Sequence, residues 1–137
     1  MAHQLWFVDD NPSDLEMFTI AGDEVGLRVR TIDCSRDALN QLDEWRTQPE
    51  RRPCMMIVDL NMPAVTGFDL LSFRQKHANA LTFPAYVLSS SSNPGDIEKA
   101  KSLGADGYFV KPSTFAGLID LMTHIKHSAH EHGCEET

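Results

Sequence analysis

No apolar run in the 137 residues approaches membrane-spanning length, and the opening residues, MAHQLWFVDD, lack the basic-then-apolar order of an export signal. Bases are scarce: 12 Lys and Arg stand against 20 Asp and Glu, a net charge of -8. Nucleic acid and anionic membrane surfaces both call for a basic face, so neither is expected as a direct partner. Cysteine is limited to Cys34, Cys54 and Cys134, odd in number and far apart. That is no disulfide framework. The three read as small apolar residues plus one tail thiol, and a reducing cytoplasm is the expected compartment. Internal repeats and Gly/Ser-rich linkers are also missing. What remains is an ordinary soluble composition, 42% hydrophobic and 23% charged, in a chain long enough for one domain with a real core.

Short apolar runs punctuate the chain at Leu5–Val8, Leu27–Ile32, Met55–Val58, Ala85–Leu88 and Tyr108–Val110. Most are nearly continuous, as in strands buried on both faces of a parallel sheet. Leu27–Ile32 differs, because Arg28 and Arg30 alternate with apolar residues and mark an edge strand. Amphipathic segments lie between the runs, carried by Leu15, Phe18, Gly22 and Val25, then Ala38, Leu42 and Trp45, then Leu70 and Leu71 within Gly67–His77. Ile97, Ala100 and Leu103 make the fourth stripe, ended by Gly104, and Phe115, Leu118, Ile119, Met122 and Ile125 the fifth, with Ser113 as its cap. Pro12 suits the first position of the first helix. Trp6 and Phe7 both read as core. Five strands alternating with five helices give an α/β domain with a parallel sheet. Residues 1–128 are expected to form it, and 129–137, polar and rich in His, a flexible tail.

In such a sheet, ligands gather beyond the carboxyl ends of the strands. Asp9 and Asp10 follow the first strand, Asp59 the third, Ser89 and Ser90 the fourth and Lys111 the fifth. With the first and third strands adjacent, three carboxylates converge, and three ionised carboxylates repel. A hard divalent cation, Mg²⁺ or Mn²⁺, relieves that conflict. With a lysine and a hydroxyl opposite, the site is suited to a phosphoryl group. Asp59, alone at a strand end before a loop, is the nucleophile candidate, since a carboxylate attacking phosphorus forms an acyl phosphate.

The ordered motifs "VDD", "MIVDLNMPAVTGFDLL", "VLSS" and "GADGYFVKP", spread from about Leu5 to Ile125, resemble the receiver domain of two-component response regulators. The resemblance implies a flavodoxin-like doubly wound five-stranded parallel sheet, order 2-1-3-4-5, of a stand-alone type similar to chemotaxis and phytochrome-associated regulators. It implies Asp59 as phosphoacceptor, served by a sensor histidine kinase or histidine phosphotransfer protein. It implies Asp10 and Asp59 as direct Mg²⁺ ligands, Asp9 as a ligand through water, the backbone carbonyl of Asn61 as a further ligand, and Lys111 paired with phosphoryl oxygens. The Lys111–Pro112 bond would be cis. Ser89, where threonine is commoner, and Tyr108 would form a switch that alters the surface of the fourth helix, fifth strand and fifth helix. Asn61 and Ser91 would flank the phosphoryl group and bear on its lifetime.

No output module is expected after Ser128, so the protein would act by docking on a downstream protein target, as a monomer or weak homodimer. Two other readings use the same fold: an aspartate-nucleophile phosphohydrolase and an interaction module that is never phosphorylated. The first usually needs an acid two residues after the nucleophile, where this chain has Asn61. The second would fit better had Asp59 or Lys111 been replaced. His124, His127, His130, His132 and Cys134 raise a transition-metal site. The simpler reading is a helix end whose histidines suit the negative end of its dipole.

Overall fold

The computed structural model describes residues 4–132. Five strands, β1 (Leu5–Val8), β2 (Val29–Ile32), β3 (Met55–Val58), β4 (Ala85–Ser89) and β5 (Gly107–Val110), form one parallel sheet in the order β2-β1-β3-β4-β5. The helices are α1 (Pro12–Val25), α2 (Ser35–Thr47), α3 (Gly67–Lys76), α4 (Pro94–Ser102) and α5 (Phe115–Glu131), with a short 3-10 turn at Pro49–Arg51. This is the flavodoxin-like arrangement expected from the sequence.

The sheet divides the core in two. On one face α1 and α5 cover Leu5, Phe7, Met55, Ile57, Tyr86 and Leu88. On the other, Trp45, Leu42, Leu70 and Leu71 pack over Val8, Met56, Val58 and Val87. Fully burying one such side chain is worth about 1.5–3 kcal/mol, so the two layers supply the stability that holds the strand ends in place. Register does the rest. Val8 pairs with Ile32 and Val58, Val58 with Val87, and Ser89 with Val110, so the strands end side by side.

Several local expectations change. Trp6 is only partly buried. It lies opposite Arg30 on the edge strand, with the guanidinium carbon 5.2 Å from its ring centroid, because β2 has no further neighbour to cover it. Ile97 and Phe115 are 36% and 41% exposed, so the fourth and fifth stripes bury only their inner parts. Thr114, not Ser113, caps α5, its side chain accepting from the Gly117 amide. The helix runs on to Glu131, past the boundary drawn at 128, because Ala129 continues the buried line of Met122 and Ile125. There is no cis peptide bond among the described residues, so Lys111–Pro112 is trans, the ordinary isomer even before proline. Cys34 is a free thiol, but Cys54 is disulfide-bonded, against the reading of separate thiols. Sequence spacing hid this, because a disulfide depends on which distant segments folding brings together. The expectation for Cys134 lies outside the described residues.

Candidate functional site

The loops that leave β1, β3, β4 and β5 build one polar site. Asp9 and Asp59 are held by the sheet itself: the Asp9 amide donates to Ile32 O and the Asp59 amide to Val8 O, at 3.1 and 2.9 Å. Lys111 follows β5, its amide donating to Ser89 O at 2.8 Å. After Asp59 the chain must turn sharply. The Gly67 amide donates back to Leu60 O at 3.0 Å, and a side chain at Gly67 would collide with the Asp59 and Leu60 backbone. Thr66 and Asp69 close the start of α3 with a reciprocal capping pair. Ala64, in this loop, has φ 66°, a left-handed conformation that an L side chain disfavours.

Asp9 and Asp59 are buried, at 1% and 6% exposure, whereas Asp10 is open to solvent. One carboxylate oxygen from each lies within 4.8 Å of the others, and this trio is the only metal-capable group among the described residues. Two of the histidines have other contacts: His132 Nε2 lies 3.1 Å from Tyr86 Oη, and His124 sits edge-on to Phe109. Asn61 is exposed on the loop two residues after Asp59.

Asp59 Oδ1 accepts from the Leu60 amide at 2.9 Å, and Oδ2 faces Lys111 Nζ at 3.7 Å. Burial pushes the Asp59 carboxyl above its usual range. Lys111 opposes that shift, Asp9 adds to it, and the Leu60 amide and Ser89 hydroxyl favour the ionised form. The Lys111 ammonium is held charged beyond its ordinary range: burial works against it, but hydrogen bonding and attraction from Asp14, Asp9 and Asp59 outweigh burial. Lys111 Nζ meets the buried Asp9 Oδ2 at 2.7 Å, so one ammonium is shared between Asp9 and Asp14 with Asp59 close by. Three converging carboxylates exceed the charge of one lysine, and that excess is what a hard cation fits.

Ser89 is fully buried at the end of β4, its hydroxyl accepting from the Ser91 amide at 3.2 Å. Tyr108 Oη donates to Ser91 O at 2.7 Å, and Ser91 Oγ to Asp96 of α4 at 2.7 Å. Asp9, Asp10, Asp59, Ser89 and Lys111 therefore meet at one acidic site, and Tyr108 is joined to Ser89 through Ser91. Sequence reasoning missed Asp14, whose Oδ2 accepts from Lys111 Nζ at 2.8 Å. Its position four residues after Asp10, one helical turn on, was the available signal.

The response regulator receiver domain family matches residues 5–123. The chain belongs to this family. The chain is similar to the two-component response regulator ARR8 of Arabidopsis thaliana, 29% identical over 86% of this chain; the chain spans 58% of that relative's length. Among solved structures, the phosphorylated cyanobacterial phytochrome response regulator RcpA is 25% identical, with a TM-score of 0.78 over 92% of this chain and 93% of that one. The Mn²⁺-bound form of the response regulator Rcp1, 19% identical, shares the fold with a TM-score of 0.77 over 90% and 91% of the two chains. This receiver is thus a signalling domain of two-component systems.

Proposed function

We propose that this receiver takes a phosphoryl group onto Asp59 from a phosphohistidine on a sensor kinase or histidine phosphotransfer protein. A carboxylate oxygen of Asp59 attacks phosphorus, the P–N bond breaks, and the imidazole leaves. Lys111 stays charged beside Asp59 and neutralises the equatorial oxygens, and Ser89 offers its hydroxyl. Asp9, Asp10 and Asp59, with the carbonyl of Asn61, would hold Mg²⁺, or Mn²⁺ in its place, which supplies further charge neutralisation when bound. The observation that carries the reading is the convergence of one oxygen each from Asp9, Asp10 and Asp59 within 4.8 Å, with the Lys111 ammonium beside Asp9 and Asp59.

The output follows from the Ser89 contacts. A phosphoryl group that draws the Ser89 hydroxyl releases the Ser91 amide. The Ser91 carbonyl holds Tyr108, and its hydroxyl holds Asp96 at the start of α4. The surface of α4, β5 and α5 is therefore the one whose contacts a downstream protein target reads. Slow loss of the phosphoryl group returns the domain to its starting state. A cytoplasmic setting agrees with this chemistry, and no helix among the described residues is long and apolar enough to cross a membrane.

Intact mass after incubation with acetyl phosphate tests the reading. Wild type should gain one phosphoryl group only with Mg²⁺ present, and Asp59→Asn should gain none. A folded wild type that neither gains mass nor releases phosphate would leave a receiver that signals by docking alone.

A further inference from the structure

The loop from Asp59 to α3 contains a turn that ordinary backbone geometry disfavours. The Val65 amide donates to Pro63 O at 2.8 Å, closing a short turn with Ala64 at its tip, at φ 66°. An L residue holds that conformation only where its surroundings impose it, and such strain tends to gather at functional sites. The same Pro63 carbonyl also accepts from the Ser35 hydroxyl of α2 at 3.0 Å. Among the described residues, this is the one hydrogen bond that reaches residues 61–65 from another element.

Ser35 is the first residue of α2, after Cys34, which makes no side-chain capping bond. A serine hydroxyl at a helix start commonly accepts from the helix's own free amides. Here it is 4% exposed and donates into a loop 28 residues further along the chain. Asn61 lies in the stretch so fastened, just before Pro63 and between the buried Leu60 and Met62. A loop that leaves its turn part of the time presents the Asn61 carbonyl only for the remaining fraction. The apparent affinity for a cation on that carbonyl falls by the same fraction.

We propose that Ser35 is a positioning residue: its buried hydroxyl fastens the strained turn at residues 63–65 and keeps the Asn61 carbonyl placed for a divalent cation. This rests on the reading of Asp9, Asp10, Asp59 and the Asn61 carbonyl as a Mg²⁺ site. Ser35 then acts through the loop backbone, not as a ligand, and α2 joins the elements that build the site.

Titration calorimetry with Mg²⁺ on the full chain tests this in wild type, Ser35→Ala and Ser35→Thr. Ser35→Ala should weaken binding about three- to tenfold, the worth of one hydrogen bond. Ser35→Thr keeps the hydroxyl and should stay within about twofold of wild type. Urea unfolding without Mg²⁺ verifies that both variants are folded. A bond that serves stability alone would lower the unfolding midpoint of Ser35→Ala and leave its Mg²⁺ affinity at the wild-type value, which would overturn the proposal. Equal weakening in Ser35→Ala and Ser35→Thr would overturn it too, because the hydroxyl would then not matter. Wild type that binds no Mg²⁺ would overturn the metal reading as well, whereas wild-type binding with unchanged Ser35→Ala affinity overturns the role of Ser35 alone.

Discussion

Each end of the sheet carries a mostly buried cation, and the two are handled in opposite ways. At the amino end, Arg74 of α3 donates from Nε to Phe83 O at 2.9 Å, from Nη1 to Gly104 O at 3.2 Å and from Nη2 to Asp106 Oδ2 at 3.2 Å. Asp106 Oδ2 also accepts from the Ala85 amide at 2.8 Å. At the carboxyl end, Lys111 Nζ faces three carboxylates, at 2.7 Å from Asp9, 2.8 Å from Asp14 and 3.7 Å from Asp59. The two side chains are similarly covered, at 13% and 17% exposure. Burial of charge therefore does not mark function here. The difference lies in charge balance: Arg74 faces two carbonyls and one carboxylate, while Lys111 faces three carboxylates and leaves an excess of negative charge.

The largest effect that could break this contrast is kinetic. Lys111→Met should slow acetyl phosphate modification on the order of a hundredfold, the loss typical of removing a charge-stabilising donor. Arg74→Met should leave the rate per folded molecule nearly unchanged, and intact-mass time courses compare the two. A similar fall in both would mean that the ends are not functionally distinct.

Stability should then split with opposite signs. Arg74→Met strands two backbone carbonyls and a carboxylate, and should cost about 2–3 kcal/mol in urea unfolding, tempered by the partial exposure of Asp106. Asp59→Asn removes a buried carboxylate that crowds Asp9 and should raise stability by about 1 kcal/mol at neutral pH. The sign with pH follows from the upward shift of the Asp59 carboxyl, caused first by burial. The folded state binds that proton more tightly than the unfolded chain, so its contribution is present below the ordinary value of 3.8 and is lost as pH rises through the folded value. The advantage of Asp59→Asn should thus fade on acidification. Unfolding curves at several pH values check this, and an advantage that grew toward low pH would contradict it.

The smallest expected effect lies in the loop between the two ends. Ala64 sits at φ 66°, and Ala64→Gly relieves the left-handed strain while adding unfolded-state freedom. A net gain of up to about 1 kcal/mol is expected, read as a higher thermal midpoint with the phosphorylation rate kept. A loss of stability would show that the methyl group is needed in the turn.

Much of this was legible in the chain. Continuous apolar runs announced buried parallel strands, Arg28 and Arg30 announced the edge, and polar residues placed directly after β1, β3, β4 and β5 announced which edge holds the site. Strand ends are local features, set by where apolar runs stop, and the parallel register carries them to one place. The apolar stripes of the helices were legible from their periodicity for the same reason, although Ile97 and Phe115 proved exposed because the stripes do not say how far a neighbour extends.

Partnership between distant side chains was decided by tertiary structure alone. Asp14 and Lys111 are 97 residues apart, Tyr86 and His132 are 46 apart, and Arg74 and Asp106 are 32 apart. No period or spacing relates such pairs, because each depends on how helices settle onto the finished sheet. The sequence by itself determined the elements, the edge at which chemistry gathers and the residue types that perform it. Folding decided which carboxylates share the lysine and how far α5 continues, since those outcomes turn on distances of an ångström between groups that the chain keeps far apart.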